Sequence, residues 1–224
     1  MMQIEFHGVT KRFDSGIEAL SGLNISFQEG SMTFLTGRSG AGKSTFLKLI
    51  LCFTRATLGQ LLVNGVNVSS LNNDSLANYR RHLGVVFQDH HLLADRTIFE
   101  NIAIPLWLRA MRGRDVGRRT RAALSAVGLL SKASMLPIQL STGEQQRVGI
   151  ARAIVTRPKI LLADEPTGNL DPELSMNIMD LFRQFNAIGT TVIVASHDKS
   201  LINSMSSRVV TLSRGQVISD ENPF

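Results

Sequence analysis

Gly37-Arg38-Ser39-Gly40-Ala41-Gly42-Lys43-Ser44-Thr45 fits the phosphate-binding loop pattern G-x-x-x-x-G-K-[ST] without a mismatch. It lies between the apolar run Met32 to Leu35 and the helix-like stretch Phe46 to Phe53, which is the strand, loop, helix setting that the pattern requires. Glycines at 37, 40 and 42 let the backbone curl close to an anion, with successive N–H groups turned inward on phosphate oxygens. Lys43 then reaches the β- and γ-phosphates as a point charge. Ser44 offers its hydroxyl to Mg²⁺, and the start of the following helix adds the positive end of its dipole. A glycine-rich turn would match the pattern by accident on the order of one time in a hundred for a chain this long. Further motifs downstream, in the right order, set that reading aside.

Composition bounds the rest. With 224 residues, 43% of them hydrophobic, the chain is expected to be one domain, or one domain with a subdomain, burying roughly 70% of the surface its unfolded form exposes. The single cysteine, Cys52, is expected on the apolar face of the helix after the phosphate loop as a packed thiol, and no disulfide can form within the chain. No apolar run approaches the roughly 20 residues of a membrane span, and Met1-Met2-Gln3-Ile4-Glu5 lacks a signal pattern, so the chain is expected to be soluble on its own. A formal charge of +6 suggests an acidic partner surface, either nucleic acid or anionic lipid headgroups.

In chain order, Gln3 to Phe6 and Leu23 to Phe27 alternate apolar and polar residues around the turn signal Asp14-Ser15-Gly16, which predicts short antiparallel strands. Phe13, upstream of the phosphate loop, is a candidate to stack on a purine ring, although a lone aromatic is more often core. Asn64-Gly65 inside Gln60 to Val68 predicts a hairpin that continues the antiparallel layer. Asn73-Asp74-Ser75 is expected to cap a short helix through Arg81, followed by a buried strand from Leu83 to Phe87 that ends at Gln88. From Asp89 to about Ala153 strand signals vanish, and Thr97 to Ala110 and Arg114 to Val127 read as helices, which makes this stretch a helical insertion in an α/β core. Arg109, Arg112, Arg114, Arg118, Arg119 and Arg121 form one basic run opposed only by Asp115, read equally as a solvated face or a functional surface. The last third alternates again: a helix over Gly143 to Arg157, a strand over Ile160 to Ala163, a helix over Pro172 to Ile188, a strand over Thr191 to Ala195, and a hairpin around Arg214-Gly215. No room is expected after Phe224 for a regulatory domain.

Ile160-Leu161-Leu162-Ala163-Asp164-Glu165 carries the second chemical motif. Four apolar residues make a central parallel strand, and both carboxylates emerge at its C-terminal end, where open α/β sheets place their ligands. Asp164 then holds Mg²⁺ or its water shell, while Glu165 polarises the attacking water.

The order phosphate loop, Phe87-Gln88, Leu140-Ser141-Thr142-Gly143-Glu144-Gln145, Leu162-Ala163-Asp164-Glu165, Asn169-Leu170-Asp171 and Ser196-His197-Asp198 resembles the nucleotide-binding domain of ATP-binding cassette (ABC) proteins across essentially the whole chain. The resemblance implies an α/β P-loop NTPase fold with a RecA-like, mostly parallel core sheet, an N-terminal antiparallel β layer and a helical subdomain. It implies a single domain over residues 1–224, with 1–88 and 154–224 as the core and about 89–153 as the helical part. It also implies ATP and Mg²⁺ as ligands, and an ATP-dependent homodimer in which each nucleotide lies between one copy's phosphate loop and the other copy's signature.

Carried over, Ser141, Thr142, Gly143 and Glu144 form that signature, with Ser141 and Gly143 touching the γ-phosphate held by the other copy. Gln88 contacts the metal, with Ser44 and Asp164, or the lytic water. Asp171 tunes the dimer contact. His197 hydrogen-bonds the γ-phosphate and positions water beside Glu165. The signature departs from the usual Leu-Ser-Gly-Gly-Gln at Glu144, an ordinary variant, and at Thr142. If that position needs a positive φ or close phosphate approach, Thr142 strains the site, and slow hydrolysis or weak dimerisation is expected.

Phe87 to Leu93, Asn101 to Leu106, Pro137 to Ser141 and Glu144 to Ala153 are similar to the cell-division branch of the family. That implies an FtsX-like integral membrane partner, contact with the membrane surface through it, and a place on the cytoplasmic face of the inner membrane at the division septum. Cassettes of lipoprotein-release or macrolide-export transporters share the same chemistry and remain the alternative. A nucleic-acid-acting cassette is disfavoured by the single Trp, the single Tyr and the absence of a second cassette.

Overall fold

Period-two alternation makes one face of the N-terminal strands apolar, and the computed structural model, which describes residues 3–222, pairs them accordingly. The expectations on Met1, Met2 and Phe224 lie outside the described residues. Strand β1 (Ile4–Arg12) runs antiparallel to β2 (Glu18–Phe27), with Ile4 opposite Phe27. β3 (Met32–Thr36) leads through the phosphate loop into helix α1 (Lys43–Ile50), and β4 (Leu58–Val63) turns at Asn64-Gly65 into β5 (Val66–Asn67). Both turn residues have positive φ, 54° and 75°, as a tight two-residue hairpin requires. These four strands form one antiparallel sheet in the order β2-β1-β4-β5.

Helix α2 (Asn73–Arg80) precedes β6 (Leu83–Val86), and then come α3 (Ile98–Trp107), α4 (Gly113–Ala126) and α5 (Thr142–Ile154). Alternation resumes with β7 (Ile160–Asp164), α6 (Pro172–Ala187), β8 (Thr191–Ala195), α7 (Lys199–Ser204), β9 (Arg208–Ser213) and β10 (Gln216–Glu221). The second sheet has the order β10-β9-β3-β8-β7-β6 and is parallel except for the β9–β10 hairpin. Its strands are apolar on both faces because both are covered. Leu161, Ala163, Val192 and Val194 join a core shared with α3, α4, α5 and α6, whereas Ile160, Leu162, Ile193 and Ala195 face α1 and the antiparallel layer.

Several local expectations need correction. Helix α1 begins at Lys43 rather than Phe46 and ends at Ile50 rather than Phe53. Cys52 therefore lies beyond the helix, in the left-handed region at φ 52°, where its thiol donates to the Val68 carbonyl at 3.2 Å and burial pushes its pKa up. Asn72, not Asn73, caps α2 through the Ser75 N–H. Helix α7 adds to the expected elements; Asp198 starts it by accepting the Leu201 N–H.

Three phenylalanines clamp α1 to the antiparallel sheet. Phe6 stacks on Phe46 with centroids 4.4 Å apart, and Phe27 meets both edge-on. Because Phe46 is one turn from Lys43, this cluster fixes the start of α1 against β1 and β2. Phe46→Ala is expected to destabilise the protein by about 3–5 kcal/mol, seen as a lower urea midpoint at unchanged slope. A loss below about 1 kcal/mol would mean that the cluster does not hold the helix.

Candidate functional site

Four parallel strands end on the same side of the sheet, and each delivers one part of the site. The phosphate loop follows β3, Gln88 follows β6, Asp164 and Glu165 close β7, and His197 follows β8. Together, Arg38 to Thr45, Gln88, Asp164, Glu165 and His197 line one open cavity of about 750 Å³. Gly37 lines the adjoining recess on the far side of the loop with Lys199 and Arg214.

Helix α1 starts on Gly42, which has φ 107° and offers no side-chain cap, so the first N–H groups of the helix point into the loop. Lys43 Nζ donates to the Gly37 carbonyl at 2.7 Å and to that of Arg38 at 3.4 Å, which keeps the ammonium inside the loop. Opposite, Glu165 has a left-handed backbone at φ 47°, a conformation that costs a non-glycine residue about 1–2 kcal/mol. Its N–H donates to the Ala195 carbonyl at 2.9 Å, tying the ends of β7 and β8 together. The carboxylate then meets the end of β8 again, with Glu165 Oε1 2.8 Å from His197 Nδ1.

Metal binding is testable on the donor set. The Ser44 hydroxyl, the Gln88 amide oxygen and the Asp164 carboxylate share the cavity, all hard oxygen donors. Among the described residues no three His, Cys, Asp or Glu side chains form a metal cage. A partial oxygen set suits Mg²⁺, which is bound through one or two carboxylates together with water and phosphate oxygens.

The loop after Gln88 is held from two sides. Asn101, fully buried in α3, accepts the Leu93 N–H and donates to the carbonyls of Leu93, Arg96 and Thr97. Arg152 of α5 donates to the carbonyls of His90 and His91 at 2.7 and 2.8 Å. Burial pushes the Arg152 guanidinium pKa down, and among the described residues no carboxylate pairs with it. Sequence reasoning assigned neither role, because both depend on contacts set by packing.

Other expected site residues lie elsewhere. Ser141 caps α5 and Thr142 opens it, both exposed, outside the cavity wall. Thr142 has ordinary helical backbone, so the expectation of strain through a positive φ is overturned: the position is the first turn of a helix, not a left-handed turn. A methyl at Gly143 would stand 3.2 Å from the Asn169 carbonyl and 3.3 Å from Leu170, so the signature adjoins the turn that ends at Asp171. Asp171 itself caps α6 through the Leu174 N–H. Phe13 sits partly exposed on the β1–β2 turn under the Lys11 ammonium, whereas Ile17 at the end of that turn and Glu18 and Ala19 at the start of β2 line the cavity. No residue pattern marked those three. The basic run divides: Arg109 turns inward to the Thr156 carbonyl, Arg118 pairs with Asp115, and Arg112, Arg114 and Arg121 stay exposed.

A family model described as ABC transporter matches residues 20–168. This chain belongs to the ABC transporter family. Among curated relatives of the cassette, the cell division ATP-binding protein FtsE of Escherichia coli K12 is 52% identical over 214 residues, 96% of each chain. The protein of the same name from Mycobacterium tuberculosis H37Rv is 45% identical over 221 residues, 98% of this chain and 96% of its own. Among solved structures, the dimeric bacterial ABC transporter cassette MJ0796 superposes with a TM-score of 0.94 at 36% identity, over 99% of both chains. Its dimeric post-hydrolysis state with ADP and Pi gives 0.93 at 35% identity. ATP binding and hydrolysis come to this cassette with its family.

Two glycines of the loop separate conformational need from space. Gly42 has no room: an added methyl would stand 2.6 Å from the Ala19 carbonyl and 2.7 Å from Leu20. Gly40 has φ 76° but open space around it. Gly40→Ala is therefore expected to weaken ATP binding by about tenfold, the cost of a left-handed alanine, whereas Gly42→Ala abolishes binding in calorimetry. Equal effects would contradict this packing of the loop.

Proposed function

We propose that this cassette is the ATP-hydrolysing subunit of a membrane-associated complex in bacterial cell division, working with an FtsX-like integral membrane protein on the cytoplasmic face of the inner membrane at the septum. The observation that carries the catalytic part is the division of the site. Phosphate loop, Gln88, Asp164, Glu165 and His197 share one cavity, while Ser141 and Thr142 lie exposed and Gly143 half-buried on a helix start outside it. A second copy, placed head to tail, supplies the missing wall. The biological part rests on 42–52% identity, over nearly the whole chain, to relatives named for cell division.

In this reading the loop N–H groups and Lys43 bind the β- and γ-phosphates, and Ser39, Gly40, Ala41 and Thr45 complete the cradle. Phe13 and Ile17 on the β1–β2 turn offer apolar surface to the base. Ser44, Gln88 and Asp164 hold Mg²⁺, which when bound neutralises charge on the phosphate oxygens. Glu165 orients water for in-line attack on the γ-phosphorus, and the bond to the ADP oxygen breaks. His197, braced on the Glu165 carboxylate, holds a γ-phosphate oxygen and keeps the water aligned. From the second copy, Ser141 and Gly143 close over the γ-phosphate, with Thr142 and Glu144 around them and Asp171 at the dimer contact.

Residues 1–88 and 154–224 serve as the nucleotide-binding core, and about 89–153 as the helical subdomain that faces the partner. A groove of about 350 Å³ between Val85, Leu108, Arg109 and Arg152 lies beside the loop after Gln88 and suits a short cytoplasmic segment of that partner. Among the described residues no helix is long and apolar enough to cross a membrane, so membrane attachment is assigned to the partner.

Glu165→Gln, loaded with ATP and used to capture proteins from gently solubilised membranes of the source cell, is expected to recover an FtsX-like protein; recovery of a lipoprotein-release or export permease instead would overturn the cell-division assignment. Because Thr142 already has helical backbone, Thr142→Gly is expected to change the hydrolysis rate by less than about threefold. A tenfold rise would show that the side chain obstructs the interface.

A further inference from the structure

Glu144 gives the signature a fixed negative charge at the place where a phosphate is to bind. Its Oε2 accepts the Ser141 N–H at 3.0 Å and the Ser141 hydroxyl at 3.2 Å, and the Glu144 N–H returns to Ser141 Oγ, which closes a capping box at the start of α5. The Lys132 ammonium on the other oxygen, then the Ser141 backbone, hold the carboxyl below the usual range, so it is ionised at neutral pH. An anion stabilises its own helix start, but it also repels a second anion brought to the same N–H groups. The side chain is 17% exposed, so water screens that repulsion only in part.

Lys132 is set in place by backbone. It ends the 3-10 turn Leu130–Lys132, its N–H donates to the Leu129 carbonyl, and its own carbonyl accepts the Met135 N–H. Ala133 and Met135 in turn accept the Phe99 and Ile98 N–H groups at the start of α3, and Leu129 is buried in the core. The ammonium is thus delivered to Glu144 by a segment anchored to the helical core, twelve residues away along the chain.

We propose that Lys132 is the positioning residue that makes a glutamate usable in this signature: it offsets the Glu144 charge, so that α5 can cap itself with a carboxylate and still receive the γ-phosphate of an ATP held by a second copy. This rests on the head-to-tail reading above. A glutamine at position 144 could accept both Ser141 hydrogen bonds on its amide oxygen, and it would bring no charge and need no lysine. Position 132 therefore sets how much ATP is needed for dimerisation, without touching the nucleotide in its own copy.

The test uses the full chain in the Glu165→Gln background and reads two quantities: the ATP concentration for half-maximal dimer by light scattering, and the ATP affinity of the monomer at high dilution. Lys132→Met is expected to raise the dimer half-point about tenfold at low salt, with less effect in 1 M salt, while monomer affinity stays unchanged. Adding Glu144→Gln to Lys132→Met is expected to restore the half-point to within about twofold, and Lys132→Arg to behave like the parent. A half-point that Lys132→Met leaves unmoved, or that Glu144→Gln does not restore, overturns the proposal, and a fall in thermal stability alone marks the pair as a structural staple and overturns it too. Ser141→Arg is the control for the underlying reading. If it dimerises like the parent, the signature does not meet the nucleotide, a failure distinct from that of Lys132.

Discussion

An uncapped helix start is the constraint on which the rest of the molecule depends. Helices α2, α3, α5, α6 and α7 begin on side chains that accept their first N–H groups, namely Asn72, Thr97, Ser141, Asp171 and Asp198. Helix α1 begins on Gly42 and α4 on Arg112 with none, but α1 is the one that starts in the cavity lined by Asp164 and Glu165, where its N–H groups stay available to an anion. The left-handed glycine that opens it, at φ 107°, is held by its surroundings. The Phe6–Phe46–Phe27 cluster fixes the helix, and Ala19 and Leu20 press on Gly42 so closely that no other residue fits. Packing of the antiparallel layer is in this sense part of the phosphate site.

The parallel sheet supplies everything else by geometry. Side-by-side strands that end together bring residues far apart in the chain, such as Gln88, Glu165 and His197, to one rim. The second sheet face carries the helices, and through them the loop after Gln88 is tied to α5 by Arg152, while the other end of α5 presents Ser141. Those two residues stand roughly 16 Å apart along α5, at 1.5 Å per residue, so one helix joins the Ser141 end to the loop that follows Gln88.

Much of this was legible in the sequence. The phosphate loop, the apolar strand before Asp164-Glu165 and the Asn64-Gly65 hairpin each depend on local spacing, and the structure places them as read. What escaped depended on distance along the chain. Arg152 meets His91 across 61 residues and Lys132 meets Glu144 across 12, pairings that no periodicity announces. Cys52 was misplaced because the helix gives way to a left-handed turn after Leu51, and α7, at six residues, is too short for a periodic signal. Of the two grounds for strain at Thr142, a positive φ falls because the residue opens α5 with helical backbone, whereas closeness to a phosphate depends on a second copy and not on the local chain.

If one catalytic site is built from two copies of this chain, two dead variants should rescue each other when mixed. Lys43→Ala lacks its own phosphate grip and Ser141→Arg blocks its own signature, so each homodimer should hydrolyse ATP at background rate. A mixed dimer contains one intact pairing of a Ser141→Arg phosphate loop with a Lys43→Ala signature, and mixing the two purified proteins with MgATP is predicted to restore hydrolysis. Full activity of Ser141→Arg alone, or a mixture no faster than its components, would contradict a site shared between two copies.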